Sequence, residues 1–271
     1  LARLLLLLVA LASPGRAAEP LQLGYLEDSL PFSASSPQGP HGFAVELCAS
    51  VAAAMDRPPA FTGFTLSEGL DAVAEGQIAL LCGSQSATIG RRATVDFSIP
   101  IFLGGAGIVV RSDAPAGLRR FLLQGAGIGP ARSLLLGIGG QRRIGVLAGS
   151  TTEDLLDAAL ERWQVGFTKR TVERHDEGFA ALARGELEAY AAEGAVLLYR
   201  LDRGLEIADR WISREPIALA VARGDAELRL AVDAALSRLY RDPAFDVLAR
   251  RWFGREAGTV AAQLRALALP E

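Results

Sequence analysis

The stretch Leu80–Pro100, LLCGSQSATIGRRATVDFSIP, decides how this chain is read. A β-like run, Ile78 to Cys82, ends in a small polar cluster, Gly83, Ser84, Gln85 and Ser86. Thr88-Ile89-Gly90-Arg91 follows, and then a second β-like run, Val95 to Ser98. A strand end with free N–H groups, hydroxyls and a nearby arginine suits one carboxylate. The planar fork of arginine can hold both carboxylate oxygens at once. Ser84 and Ser86 alternate along the strand end, so both face one side of the turn. A plain surface position for Arg91, like that of Arg92 beside it, is the alternative reading.

Outward from this stretch, strand-like and helix-like segments alternate, which predicts an α/β fold. Leu21 to Leu26 reads as a strand. Phe43 to Met55 reads as a helix, with Phe43, Leu47, Val51 and Met55 on one face. Ser67 to Ala74 is a short helix, and Gly76 turns the chain into Ile78–Cys82. The pattern then recurs. Leu23-Gly24-Tyr25-Leu26-Glu27-Asp28-Ser29 has its counterpart in Ile144-Gly145-Val146-Leu147-Ala148-Gly149-Ser150, and Leu70–Leu80 has one in Phe179–Ala189. Two similar α/β lobes are expected. Beyond Tyr199 come Leu205–Trp211, a strand Ile217–Ala222, a helix capped by Asp225 and another begun by Asp242-Pro243 and ended by Gly254. These last helices are expected to return to the first lobe. Lobe 1 is then discontinuous, 18–105 and 212–271, and lobe 2 is 106–211. A Gly-rich excursion, 112–143, belongs to lobe 2. Its Gly125-Ala126-Gly127-Ile128-Gly129 is not a dinucleotide loop, since Pro130 replaces the last glycine and no strand-turn-helix frame surrounds it.

The chain has 271 residues, half of them hydrophobic, and a formal net charge of -3. That balance gives no reason to expect a nucleic acid or an anionic membrane surface as partner. Arg3, the apolar run Leu4–Ala12 and Ser13-Pro14-Gly15-Arg16-Ala17 read as a signal peptide, residues 1–17, cleaved after Ala17. Export leads to an oxidising space. There Cys48 and Cys82 either bridge the first helix to the strand end or remain two buried thiols. His41 and His175 are the only histidines. With no metal cluster and no nucleophile–base pair, no cofactor and no enzymatic activity are expected.

Ser150-Thr151-Thr152-Glu153 opens a helix whose apolar face is Leu155, Leu156, Ala159, Leu160 and Trp163. Ser-x-x-Glu is a capping box, and the same helix start suits an anionic group. Glu193 follows the strand Leu187–Ala191. It places a carboxylate at the strand end of lobe 2, as Arg91 follows the strand end of lobe 1. An arginine for a carboxylate and a glutamate for an ammonium would together recognise a zwitterion. The competing role for Glu193 is that of an ordinary acid at a helix N-terminus.

The Thr-x-x-Arg…Asp-Phe-Ser-x-Pro pattern of Thr88–Pro100 resembles the family 3 extracellular solute-binding proteins, the amino-acid receptors of bacterial ABC importers. Supporting residues are Gly24–Phe32, Gly42–Leu47, Val146–Thr152 and Glu215-Pro216 leading into Ile217–Val221. The resemblance implies a type II periplasmic-binding-protein fold, two α/β lobes joined by two crossing strands, with a cleft that closes on its ligand. It implies a monomeric periplasmic receptor that passes an amino acid to a permease in the inner membrane. Carried onto this chain, Arg91, Ser86 and the backbone around Gly83 and Ser84 take the α-carboxylate, helped by Ser150 and Thr151, and Glu193 takes the α-amino group. Family members that bind long cationic ligands carry aromatic rings near Ser29 and Leu66. Neither is aromatic here, so the pocket is expected to suit flat or long cationic groups less well. Exported cyclohexadienyl dehydratases resemble the same family, and a pocket acid such as Glu193 is the alternative's general acid.

Overall fold

A computed structural model describes residues 18–124, 142–163, 167–208 and 211–270. The expected signal peptide and the core of the Gly-rich excursion lie outside the described residues. The first half runs β1 (Leu21–Leu26), β2 (Asp28–Ser29), β3 (Ser33–Ala34), α1 (Phe43–Ala54), β4 (Pro59–Phe64), α2 (Leu66–Ala74), β5 (Leu80–Cys82), β6 (Val95–Gly104), β7 (Ala106–Arg111) and α3 (Ala116–Gln124). The second half runs β8 (Arg142–Leu147), α4 (Thr151–Trp163), β9 (Phe167–Val172), α5 (His175–Ala183), β10 (Ala189–Glu193), α6 (Gly194–Tyr199), β11 (Leu205–Ile207), β12 (Glu215–Ala222), α7 (Ala226–Arg241), α8 (Ala244–Phe253) and α9 (Ala257–Leu267).

β1 is buried at nearly every position, which fits a central strand covered on both faces rather than an alternating edge strand. It pairs in parallel with both β4 and β5. The five-stranded sheet of the first lobe has the order β4-β1-β5-β12-β6, and the second has the order β11-β7-β10-β8-β9. Read from the parallel end, the two orders correspond. β8 stands where β1 does, between β9 and β10, and each parallel trio is extended by an antiparallel strand. The recurrence in the sequence is thus a recurrence of topology.

The chain's C-terminal helices pack on the first sheet. Val232, Leu236, Tyr240, Phe245, Val260 and Leu264 share one core with Leu21, Leu23, Phe43, Leu47 and Leu80. The Tyr240 hydroxyl donates to the Pro100 carbonyl at 2.9 Å. Asp225 caps α7 by accepting from the Leu228 N–H at 3.0 Å, and the Asp242 carboxylate accepts from the Ala244 N–H at 2.7 Å as α8 begins. Thr65 and Glu68 form a full capping box at α2, which therefore begins one residue before Ser67. Cys48 in α1 and Cys82 at the end of β5 are bridged, with Cα atoms 6.3 Å apart. The disulfide ties the first helix to the strand that delivers the Gly83–Ser86 turn.

Two strands pass between the sheets side by side. β6 leaves the first sheet and becomes β7 through Gly104 and Gly105, and β12 enters antiparallel to β6 with Glu215 opposite Gly104. The Ile212 N–H donates to the Ala106 carbonyl at 2.6 Å, and the Ala106 N–H donates to the Ser213 hydroxyl at 2.9 Å. The approach is so close that a Cβ on Gly105 would stand 2.2 Å from the Ser213 carbonyl oxygen. Only glycine fits that crossing.

Candidate functional site

The cleft lies where the strand ends of both sheets face each other beside the crossing. In lobe 1, the turn after β5 is pinned from within. The Gln85 side-chain amide donates to the carbonyls of Leu81 at 2.7 Å and Ala218 at 2.9 Å. The Ala87 N–H donates to the Pro216 carbonyl at 2.8 Å. With Gln85 turned inward, Ser84 and Ser86 are left on the cleft side, the alternation their spacing predicts. Arg91 opens a short 3-10 turn, its N–H held by the Thr88 hydroxyl at 3.2 Å. Its guanidinium donates to the Ser86 carbonyl at 3.0 Å and, across the cleft, to the Gly149 carbonyl at 3.1 Å. Burial lowers its pKa, and the charges of Glu215 and Asp154 partly offset that.

In lobe 2, Ser150 caps α4 by accepting from the Glu153 N–H at 3.3 Å. The Glu153 carboxylate returns to the Gly149 N–H at 3.0 Å rather than to Ser150, so the capping box is displaced by one residue on that side. The Thr151 hydroxyl lies 3.2 Å from that of Ser86 across the cleft and donates to Glu215 at 2.8 Å. The lobes are therefore nearly closed on each other.

Glu193 is the last residue of β10. Its Oε2 accepts from the N–H groups of Ala195 at 2.7 Å and Val196 at 3.1 Å, capping α6. Oε1 is buried beside the Gly104–Gly105 backbone, where only the Gly105 amide approaches it, without the geometry of a full hydrogen bond. It lies over Gly104, where a Cβ would stand 2.3 Å from it. Burial pushes the Glu193 carboxyl up to about 7. The amides of Val196, Ala195 and Gly105 pull it back, and Glu215 pushes it further up. Glu193 thus caps α6 and also lines the cleft.

Leu66, Ser84, Ser86, Arg91, Ser150, Thr151 and Glu193 all line this single cleft. Ser29 does not. It is buried in β2 and lines an adjoining recess with Glu27, Asp28, Glu173 and Arg174. Gly83 is absent from the lining and packs against Leu26 and Gln85. Glu215, Thr152 and His175 line the cleft without having been singled out as site residues in the sequence. The acid placed directly before Pro216, at the entry to a strand, was the available signal for Glu215. At the recess, Asp28 of lobe 1 accepts from the Asp176 N–H at 2.7 Å and pairs with Arg200 of lobe 2. Arg174 pairs with Glu27 at 2.9 Å. These pairs clasp the lobes beside the cleft.

Among the described residues, no group of three or more His, Cys, Asp or Glu side chains could hold a metal ion, and no helix is long and apolar enough to cross a membrane. The sequence profile of the bacterial extracellular solute-binding proteins, family 3, matches residues 21–255. The chain belongs to that family. An L-glutamate/L-aspartate-binding protein of Pseudomonas aeruginosa is 24% identical over 249 residues, covering 86% of this chain and 76% of the relative. Among solved structures, an ancestral arginine-binding protein bound to glutamine superposes with a TM-score of 0.71 at 24% identity, covering 89% of this chain and 99% of that one. The ancestral amino acid-binding protein AncCDT-1, a precursor of cyclohexadienyl dehydratase, superposes with a TM-score of 0.72 at 24% identity, covering 86% and 95%. The two-lobed α/β fold expected from the sequence is the fold of these periplasmic-type binding proteins.

Proposed function

We propose that this family 3 protein is a periplasmic receptor that captures an amino acid between its lobes and delivers it to an ABC permease of the inner membrane. In this reading it is exported by residues 1–17 and works as a monomer, with 18–105 and 212–271 moving as one lobe and 106–211 as the other. The observation that carries it is the convergence of Arg91 from one lobe and Glu193 from the other on a single cleft. Arg91, with Ser86, the Ser84 backbone and the hydroxyls of Ser150 and Thr151, takes the α-carboxylate. The Glu193 carboxylate takes the α-ammonium. The bond from Arg91 to the Gly149 carbonyl across the cleft supports this reading, since a carboxylate held at that guanidinium would draw the two sides together. A thermal-shift screen of refolded, ligand-free protein against the amino acids tests this. Ligand at 100 times its dissociation constant stabilises the fold by ~2.7 kcal/mol. No shift with any amino acid would remove the proposal.

The Glu193 carboxyl sets a pH dependence. Folded protein holds this proton up to about pH 7, whereas the ordinary value is 4.5. Its contribution to ligand-free stability is therefore complete below the ordinary value and is lost as pH rises through about 7. An α-ammonium requires the carboxylate form, so binding has the opposite slope. Affinity for a zwitterion should fall by up to about tenfold per pH unit below about 7. Calorimetric titrations between about pH 5 and 8 measure it, and a flat profile would separate Glu193 from the ligand.

One observation favours a second reading. A shielded carboxyl with a raised pKa is suited to general-acid chemistry, as a cyclohexadienyl dehydratase-like activity would need. Turnover of prephenate or arogenate by the purified protein would favour that reading over capture alone.

A further inference from the structure

The recess continues the cleft on one side. Leu66 and Leu147 line both spaces and so stand at the junction. A ligand held by its α-carboxylate at Arg91 and its α-ammonium at Glu193 has this junction as an outlet for its side chain. Beyond the two leucines, the recess is walled by Leu26 and Phe64 and by charged groups from both lobes, Glu27 and Asp28 from the first and Arg174 from the second. None of these five lines the cleft itself.

The charged groups of the two lobes are already paired with one another. Arg174 meets Glu27 at 2.9 Å. Asp28 accepts from the Asp176 N–H at 2.7 Å and pairs with Arg200, whose guanidinium lies over the Phe179 ring at 5.3 Å. The side chains of Asp28 and Arg200 are only 8% and 18% exposed. This clasp can exist only with the lobes together. A side chain long enough to pass between Leu66 and Leu147 would hold Glu27 and Asp28 away from Arg174 and Arg200, and a largely buried carboxylate would lose its cation. A side chain that stops at the leucines lets the clasp close behind it. Charge sorts ligands in the same direction. Under the receptor reading the α-groups of the ligand engage Arg91 and Glu193, and Glu215 is a counter-charge to Arg91. His175 contributes no charge, since burial lowers its pKa to about 3. A charged side chain would therefore meet two leucines at the outlet and no free counter-charge in the cleft, which is unfavourable away from water.

We propose that the ligand is an amino acid with a short, uncharged side chain that ends at Leu66 and Leu147, and that the clasp of Glu27 with Arg174 and Asp28 with Arg200 excludes longer side chains because it cannot form around them. This rests on the receptor reading and narrows it. Selection comes from an interaction that the wrong ligand forfeits as much as from contacts that the right one gains. The missing rings at Ser29 and Leu66 disfavour flat or long cationic groups only, whereas the clasp disfavours any long group. The preference sets this chain apart from its Pseudomonas aeruginosa relative, named for glutamate and aspartate, and from the ancestral structure named for arginine.

The test is calorimetric titration of refolded, ligand-free protein with alanine, serine and 2-aminobutyrate on one side and glutamine, arginine and aspartate on the other. Glutamine and arginine probe length, and aspartate probes charge on a short side chain. At least one of the first three is expected to bind about tenfold or more tighter than each of the last three. In a Glu27→Ala/Arg174→Ala protein, which removes both members of one pair and leaves neither charge alone, the ratio of the best short ligand to glutamine is expected to shrink by about fivefold or more. Both ligands are measured on one variant, so a general loss of folding cancels from the ratio. Glutamine, arginine or aspartate binding as tightly as the best short ligand would overturn the inference and leave the receptor reading standing. An unchanged ratio in the double variant would overturn the role of the clasp. If no amino acid bound at all, the receptor reading would fall and this inference with it.

Discussion

Arg91→Ala is expected to weaken amino-acid binding by about 2–5 kcal/mol, a loss of tens- to thousands-fold in affinity. The size comes from what the substitution leaves behind. The ligand carboxylate would still be drawn from water into a nearly closed cleft, and its bidentate partner would be gone. The hydroxyls of Ser86, Ser150 and Thr151 remain, but as neutral donors they replace only part of a charge-assisted pair. Arg91→Lys should recover part of the loss, because it restores the charge without the planar fork. The same side chain joins the lobes by donating to Ser86 and Gly149, so the ligand-free variant should also be more open in solution scattering. Calorimetry on the wild-type and both variants decides the matter, and an Arg91→Ala protein that binds within about threefold of wild type would take the carboxylate away from this arginine.

The second large effect is on stability. Removing the bridge in a Cys48→Ala/Cys82→Ala protein should lower the unfolding free energy by about 3–4 kcal/mol. The bridge closes a loop spanning 34 residues, and loop-closure entropy of that length in the unfolded chain has this magnitude. Both cysteines are fully buried in the core of lobe 1 with Phe43, Leu47 and Leu80, so the alanines also leave unfilled space. Urea unfolding of oxidised, reduced and double-variant protein measures the difference. The functional consequence follows from position. Cys82 immediately precedes the Gly83–Ser86 turn, so binding should weaken along with stability. A loss below about 1 kcal/mol would mean that the bridge constrains the unfolded chain little.

Much of the fold was legible because its signals are short-range. Leu21–Leu26 reads as a strand and is one with the same bounds, since an almost uninterrupted apolar run beside a turn suits a strand buried on both faces. Asp225 acts as the cap its position suggests. The reading of β6 was shorter than the strand. The sequence reading covers Val95–Ser98 only, and Pro100, with no N–H to donate to a ladder, lies beyond it. The strand continues to Gly104 because Pro100 faces Ala218 between two shifts of register, an irregularity in which no donor is required of it. The box at Thr65 and Glu68 was present in the letters, four positions wide, and it starts α2 at Leu66, one residue before the expected Ser67.

The site divides in the same way. Each acid, hydroxyl and guanidinium at a strand end announced its chemistry through residue type and local spacing, and the internal repeat placed Arg91 and Glu193 at corresponding ends of two similar lobes. Those are properties of neighbouring residues, and the amino-acid order alone determined them. Tertiary structure decided which of these groups face one another. It joined Cys48 to Cys82, set Asp28 against Arg200 across 172 positions of chain, moved Ser29 out of the cleft and brought Glu215 into it. The physical reason is that these distances depend on the path of two strands crossing at Gly105 and Ser213, and no periodicity along the chain encodes the angle at which two separately folded sheets meet.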